Sequence, residues 1–266
     1  MVNPIVAPAD SKEESLVEST AKSNILWTGG WDSTFRILHT LIVQKKYVQP
    51  YYVVDVGRKS LTKELDAMKS IRKKLRNVYP EAFDLLMETI YTNKDDLVIS
   101  ENEKYYYKRF TDQYPIGSQY LWLSAFSKKY SLGDLELSID KADYRNTWME
   151  QLMPYMVTDG DRFMLQLKPG FDEKLTLFTN FRFPLLTTDK YKMEQIAREH
   201  GFYDILTLSW FCHYPFFGRP CGNCRPCKLA MEGKHQHQHE MPHPLLRFLI
   251  KVARLMKVQL MKVFKK

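Results

Sequence analysis

Apolar and polar residues alternate between two rhythms along this chain, and the changes of rhythm mark its elements. From Ser23 the run Asn24-Ile-Leu-Trp-Thr28 reads as a short buried strand. Gly29-Gly30 follows, then an amphipathic helix from about Asp32 to Val43. Tyr51-Tyr-Val-Val-Asp55, β-branched and aromatic, predicts a second strand that ends at Gly57. Leu65, Met68, Ile71, Leu75 and Val78 fall at three- and four-residue spacing, which predicts a helix over Thr62 to Val78. Phe83 to Ile90 reads as a third strand, Ser118 to Tyr130 as a helix, and Asp134 to Ile139 as a fourth strand beyond Gly133. Between Asp140 and Phe183 the period is lost, with Pro154, Asp159-Gly160 and Pro169-Gly170 breaking the pattern. It returns at Thr188, a predicted N-cap with Asp189 in the first turn, for a helix to His200 that stops at Gly201. Ile205-Leu-Thr-Leu208 reads as a last strand. Strands alternating with helices predict an α/β fold around a doubly wound, mostly parallel sheet.

Composition supports a filled core, since 44% of the 266 residues are hydrophobic and 14% aromatic. No apolar run reaches the roughly 20 residues of a membrane span, and Met1 to Asn24 lacks a signal-peptide block, which predicts a cytoplasmic protein. Residues 1–22 read as a disordered leader, 23–208 as the α/β domain, 209–232 as a metal-binding segment, 233–244 as a His-rich linker and 245–266 as a basic amphipathic helix. The net charge of +8 first suggests a nucleic-acid partner, but its location argues otherwise. Seven basic residues and no acidic one lie between Leu245 and Lys266, so the body of the chain carries only about +1. That tail joins an apolar face (Leu249, Val252, Leu255, Met256, Leu260, Val263) to a basic stripe (Arg247, Lys251, Arg254, Lys262). Such a helix suits packing on its own domain or on a dimer mate, an anionic membrane surface, or an acidic protein.

Two motifs carry chemistry. Thr28-Gly-Gly-Trp-Asp-Ser33 lies where a strand turns into a helix, at the edge of the sheet where such folds bind ligands. The glycines let backbone N–H groups approach a phosphate, and the helix N-terminus behind them adds free N–H groups and partial positive charge. Thr28 and Ser33 supply hydroxyls, and Asp32 can hold Mg²⁺ against phosphate oxygens. A Gly-Gly turn capped by Asp32 is the plainer alternative, and the absence of GxxxxGK[ST] rules out a Walker loop. The second motif contains all four cysteines of the chain: Cys212, Cys221, Cys224 and Cys227. Their spacing suits a closed four-thiolate Zn²⁺ site of structural type, with Arg219, Arg225 and Lys228 placed to offset its charge; a disulfide or redox pair is the alternative.

Together these motifs resemble the 7-cyano-7-deazaguanine synthase family of the PP-loop ATP pyrophosphatase superfamily. That family's SGGxDS loop corresponds to Thr28-Gly-Gly-Trp-Asp-Ser33, and its C-x8-C-G-x-C-x2-C cluster to Cys212 through Cys227. Val53-Val-Asp-Val-Gly-Arg58 is similar to the segment after the family's second strand, Pro184-Leu-Leu-Thr-Thr-Asp-Lys190 to its approach to the last large helix, and Leu208-Ser-Trp-Phe-Cys212 to its run into the first zinc cysteine. The resemblance implies an adenine nucleotide alpha-hydrolase-like fold, usually homodimeric, with ATP, Mg²⁺ and Zn²⁺ bound. It implies an ATP-dependent C–N ligase that adenylates 7-carboxy-7-deazaguanine or a related carboxylate. Ammonia or another amine then gives an amide or nitrile, with AMP and pyrophosphate released. Asp32, Ser33 and Lys190 are the catalytic residues so implied; Thr28, Gly29, Gly30, Trp31, Asp32, Ser33, Thr34, Val54, Asp55 and Arg58 bind the nucleotide; the four cysteines bind zinc. The family's Pro-Gly-Arg-Asn run is Pro115-Ile-Gly-Ser-Gln119 here, without the arginine, and Asp140-Lys-Ala-Asp-Tyr-Arg-Asn146 replaces its substrate segment.

Two other functions stay open on the sequence: a PP-loop tRNA-modifying enzyme, against which the near-neutral body speaks, and a catalytically silent, zinc-stabilised scaffold. His235, His237, His239 and His243 read as a solvated loop rather than a second metal site, His213 as a neighbour of the cysteine cluster, and Tyr105-Tyr-Tyr107 as a helix face rather than a base-stacking patch.

Overall fold

The computed structural model describes residues 22–141, 147–232 and 240–263; for residues 147, 254, 255 and 257–263 it describes the backbone alone. The leader before Lys22, the linker histidines His235, His237 and His239, and the stretch 142–146 lie outside the described residues. So do the side chains of Arg254, Leu255, Leu260, Lys262 and Val263, half of the tail's predicted basic and apolar faces.

Seven strands form one sheet: β1 (Ser23–Leu26), β2 (Val48–Val54), β3 (Ile90–Asn93), β4 (Leu135–Glu136), β5 (Met156–Asp159), β6 (Arg162–Leu165) and β7 (Phe181–Phe183). Their order is β3-β2-β1-β4-β7-β6-β5. The first five in that order are parallel, and the hairpin β5–β6 extends the sheet antiparallel from β7. The expected doubly wound, mostly parallel α/β architecture is therefore the one that forms.

Both faces of the sheet are buried, as a parallel sheet requires, and β2 divides its side chains between them. Val48 and Tyr52 enter one core with Ile25, Trp27 and residues of α1 (Trp31–Leu38), α2 (Leu61–Val78), α3 (Pro80–Asp84) and α7 (Lys190–Glu199). Tyr51 and Val53 enter the other, with Phe110 of α4 (Glu101–Thr111), Phe126 of α5 (Gln119–Lys129), Trp148 of α6 (Thr147–Glu150), Leu135, Phe181 and Phe183. The cysteines, flanked by α9 (Arg225–Glu232), belong to the first core, as does Ile250 of α10 (Pro244–Val263).

Three sequence expectations are corrected. Ile205 to Leu208 is no strand: Tyr203–Leu206 is a short helix, α8, with Ile205 and Leu206 buried. A four-residue apolar run has too little length to show its period when every side is covered. The real fifth parallel strand is Phe181–Phe183, inside the stretch that showed no period. Phe83 to Ile90 divides into the end of α3, an isolated bridge from Leu86 to Val48, and β3, which starts only at Ile90. Pro80 at the first turn of α3 starts a helix there. Finally, α7 is capped by Asp189, whose carboxylate accepts the Lys192 N–H at 2.9 Å, not by Thr188. The first helix also departs from the expected form, continuing beyond α1 as a π-helical turn over His39–Val43.

A charged pair crosses the interior. Arg36 on α1 donates to both oxygens of Glu136 on β4, at 2.6 and 3.0 Å, and to Asp161 in the β5–β6 turn at 2.6 Å. Glu136 and Arg36 are both buried, so each neutralises a charge that would otherwise be stranded. Glu136→Ala is expected to destabilise the protein by about 3–5 kcal/mol in chemical denaturation, because Arg36 is left buried without its main partner. Adding Arg36→Ala to that variant should cost clearly less than the sum of the two single changes.

Candidate functional site

In this strand order the chain leaves β1 toward β2 and β3, then crosses to β4 on the other side, so β1 and β4 form the point where the winding reverses. Open α/β sheets bind ligands outside the carboxyl ends of such strands, and the predicted loop lies there.

Gly29 makes the turn possible. Its φ is +67°, and a Cβ would stand 2.7 Å from the Glu64 carbonyl oxygen, so only glycine fits. Its carbonyl accepts the Trp210 N–H at 2.8 Å. Gly30 precedes α1 without any side-chain cap, which leaves the helix N–H groups facing the loop, with Asp32 in the first turn. Ser33 Oγ lies 3.3 Å from Thr28 Oγ1 and accepts the Thr28 N–H at 3.3 Å, so both hydroxyls converge on the loop.

The remaining predicted nucleotide residues divide by position. Trp31 is buried against Tyr203 with ring centroids 6.3 Å apart, and Thr34 accepts a hydrogen bond from Trp27 Nε1 at 3.1 Å. Both side chains belong to the core, leaving only their backbone to face a ligand. Val54 ends β2, and Asp55 beyond it accepts the Gly57 N–H at 3.1 Å and pairs with Lys94 at 2.9 Å. Arg58 is tied to Glu64 at 3.0 Å and to Ser60 at 3.2 Å. Glu64 also accepts from Tyr52 at 2.9 Å and Ser60 at 2.6 Å, which fixes the turn of α2 on which Gly29 rests.

Lys190 is the meeting point. The first residue of α7, it pairs with Asp32 on α1 and, at 3.1 Å, with Asp140 beyond β4. Three connections that are far apart in sequence thus converge on one ammonium. Burial by itself pulls the Lys190 pKa down, but the charges of Asp32 and Asp140 outweigh it and hold the group above the ordinary lysine range. In the sequence Asp140 stands out only as the start of the irregular segment and of the stretch that replaces the family's substrate segment, not as a site residue; its place after a strand on the winding-reversal edge is the signal. Ser138, two residues earlier, has a buried hydroxyl that finds no hydrogen-bond partner among the described residues. Pro115 to Gln119, where the resemblance would put an arginine, forms a largely exposed loop leading into α5.

The four cysteines come together as predicted. Their sulfurs all lie within 4.8 Å of one another and all four residues are buried. Sulfur separations of 3.3 Å for Cys224–Cys227 and 3.9 Å for Cys221–Cys227 and Cys212–Cys224 bracket the roughly 3.8 Å expected for thiolates at about 2.3 Å around one tetrahedral ion. The neighbouring thiols, Cys212 foremost, hold Cys221 below the usual thiol range, helped by the Asn223 N–H at 3.4 Å. The donor set therefore fits a single thiophilic metal ion. His213, beside Cys212, is exposed and adds no ligand to this group.

No known protein family's profile matches the chain, and no curated protein matches it either. Among solved structures it is similar to the U34-tRNA thiolase NcsA from Methanococcus maripaludis, solved with its [4Fe-4S] cluster. The identity is 12% over 91% of this chain and 75% of that one, with a TM-score of 0.40.

Purified protein is expected to carry one metal ion per chain by elemental analysis. Cys227→Ser should lose it and unfold more readily, because the cysteines are part of the first core.

Proposed function

We propose that this chain is a PP-loop enzyme that uses ATP to adenylate a carboxylate and passes the acyl group to ammonia or another amine. 7-Carboxy-7-deazaguanine or a related acid is the proposed substrate. The observation that carries the reading is the convergence of Asp32, Asp140 and Lys190 beside the Gly29-Gly30 turn, at the winding reversal of a parallel sheet.

The chemistry is governed by charge. A carboxylate is a poor electrophile, and its oxygen becomes a competent leaving group once it is joined to AMP. Attack of the carboxylate on the α-phosphorus forms one P–O bond and breaks the bond to the β-phosphate oxygen, so negative charge grows on departing pyrophosphate. The backbone N–H groups at the N-terminus of α1, which has no side-chain cap, are donors for that charge, and the Lys190 ammonium is a fixed positive neighbour. Thr28 and Ser33 hydroxyls add donors on the same side. Amine attack on the acyl-adenylate then expels AMP, the amine losing a proton as the amide forms.

The carboxylates of Asp32 and Asp140 fit a hard divalent cation, and Mg²⁺ held there would neutralise phosphate oxygens. The cysteine cluster fits Zn²⁺ in a closed, structural role, because a four-sulfur shell leaves no position for water. Trp210 links it to the loop, donating its indole N–H to the Cys212 carbonyl at 2.7 Å and its backbone N–H to the Gly29 carbonyl. The near-neutral body of the chain favours a small-molecule acceptor over tRNA.

Pyrophosphate release from Mg·ATP is expected to require both 7-carboxy-7-deazaguanine and ammonium, and to fall by at least about 100-fold in Asp32→Ala and Lys190→Met. The raised Lys190 pKa gives the direction with pH: its ammonium persists through neutral and mildly alkaline solution and is lost only above the ordinary lysine range. The alkaline limb of the rate should therefore not reflect Lys190 below about pH 10. Release of phosphate in place of pyrophosphate would contradict the reading.

A further inference from the structure

The C-terminal helix α10 is held to the body along one side only. Ile250 is 2% exposed within the first core, and the Arg247 carbonyl accepts from Asn223 Nδ2 of the cysteine segment at 2.7 Å. Arg247 also lies over Gly222 and donates to Met231 Sδ at 2.8 Å. The opposite side has no such cover. Leu245, Phe248, Leu249 and Met256 are 64%, 61%, 54% and 57% exposed. They stand at i, i+3, i+4 and i+11, which places them on one stripe of the helix. An apolar stripe that includes a phenylalanine and faces water, on a helix already anchored elsewhere, marks a docking surface.

Charge decides what docks. Seven basic residues and no acidic one lie from Leu245 to Lys266, on a chain whose remainder is nearly neutral. A second copy of the chain would bring two such helices together with no acid on either to offset them. An interior helix of a larger protein assembly would not require so one-sided a charge. A surface that is apolar beneath and anionic above satisfies both halves of the pattern. The helix is amphipathic and docked, not a span: among the described residues no helix is long and apolar enough to cross a membrane.

We propose that α10 binds the enzyme to an anionic lipid surface, the Leu245–Phe248–Leu249–Met256 stripe entering the acyl boundary while the exposed Lys251 meets the headgroups. The anchored side then holds the cysteine segment, and through Trp210 the phosphate loop, at the membrane interface. This does not depend on the substrate proposed above.

The test is sedimentation of the full chain with vesicles of phosphatidylcholine alone and of phosphatidylcholine with phosphatidylglycerol. Binding is expected only to the anionic vesicles, weakening by about tenfold or more between 0.1 and 0.5 M salt. The triple variant Leu245→Ser, Phe248→Ser, Leu249→Ser should lose it while keeping the bound metal and thermal midpoint of the parent, because these side chains are exposed. Equal binding to both vesicle types, or none to either, overturns the proposal. So does a concentration-dependent dimer in light scattering that the triple variant abolishes, since the stripe would then serve a second copy.

Discussion

One ammonium between two carboxylates joins the carboxyl edge of this sheet. Lys190 opens α7, Asp32 lies in the first turn of α1, and Asp140 comes after β4, so the contact ties together connections from β1, β4 and β7. Lys190 offsets the charge of both acids at a partly buried edge. The arrangement also suits the proposed polyphosphate ligand, because positive charge is fixed in place before a ligand arrives.

Everything beneath that edge serves to keep it rigid. Gly29 is pressed onto α2 so closely that no side chain fits, and Glu64 secures that turn through Tyr52, Ser60 and Arg58. Arg36 fastens α1 to β4 by way of Glu136, one turn of helix below Asp32. From the other side, the cysteine segment reaches the loop through Trp210. A metal ion among these sulfurs would thus restrain, through Trp210, the backbone of the Gly29-Gly30 turn. Rigid support of this kind is what electrostatic catalysis needs, because the donors must not reorganise as charge develops.

Much of this was legible in the sequence, for identifiable reasons. The strand–Gly-Gly–helix junction was clear because Gly29-Gly30 breaks the pattern, α1 and α2 are amphipathic, and β2 is a seven-residue run rich in β-branched and aromatic residues. The cysteine cluster was clear because its spacing constrains geometry locally. Lys190 was found through the resemblance of its segment, not through any pattern of its own. Asp140 was not recognised as a site residue, since β4 is only two residues long and the stretch beyond it has no period. The hairpin β5–β6 and strand β7 were hidden for the same reason. Ile205 to Leu208 failed in the opposite sense: its apolar run fits either a buried strand or a buried helix, and packing against α1, α2 and α7 decides for the helix.

The central claim is that three separate segments form one nucleotide site, and hydrogen–deuterium exchange tests it without knowledge of the acceptor substrate. Addition of Mg·ATP is predicted to slow exchange together in peptides covering Trp27 to Arg36, Leu137 to Asp140 and Leu186 to Lys192. Protection confined to some other part of the chain, or absent at saturating nucleotide, would contradict the account.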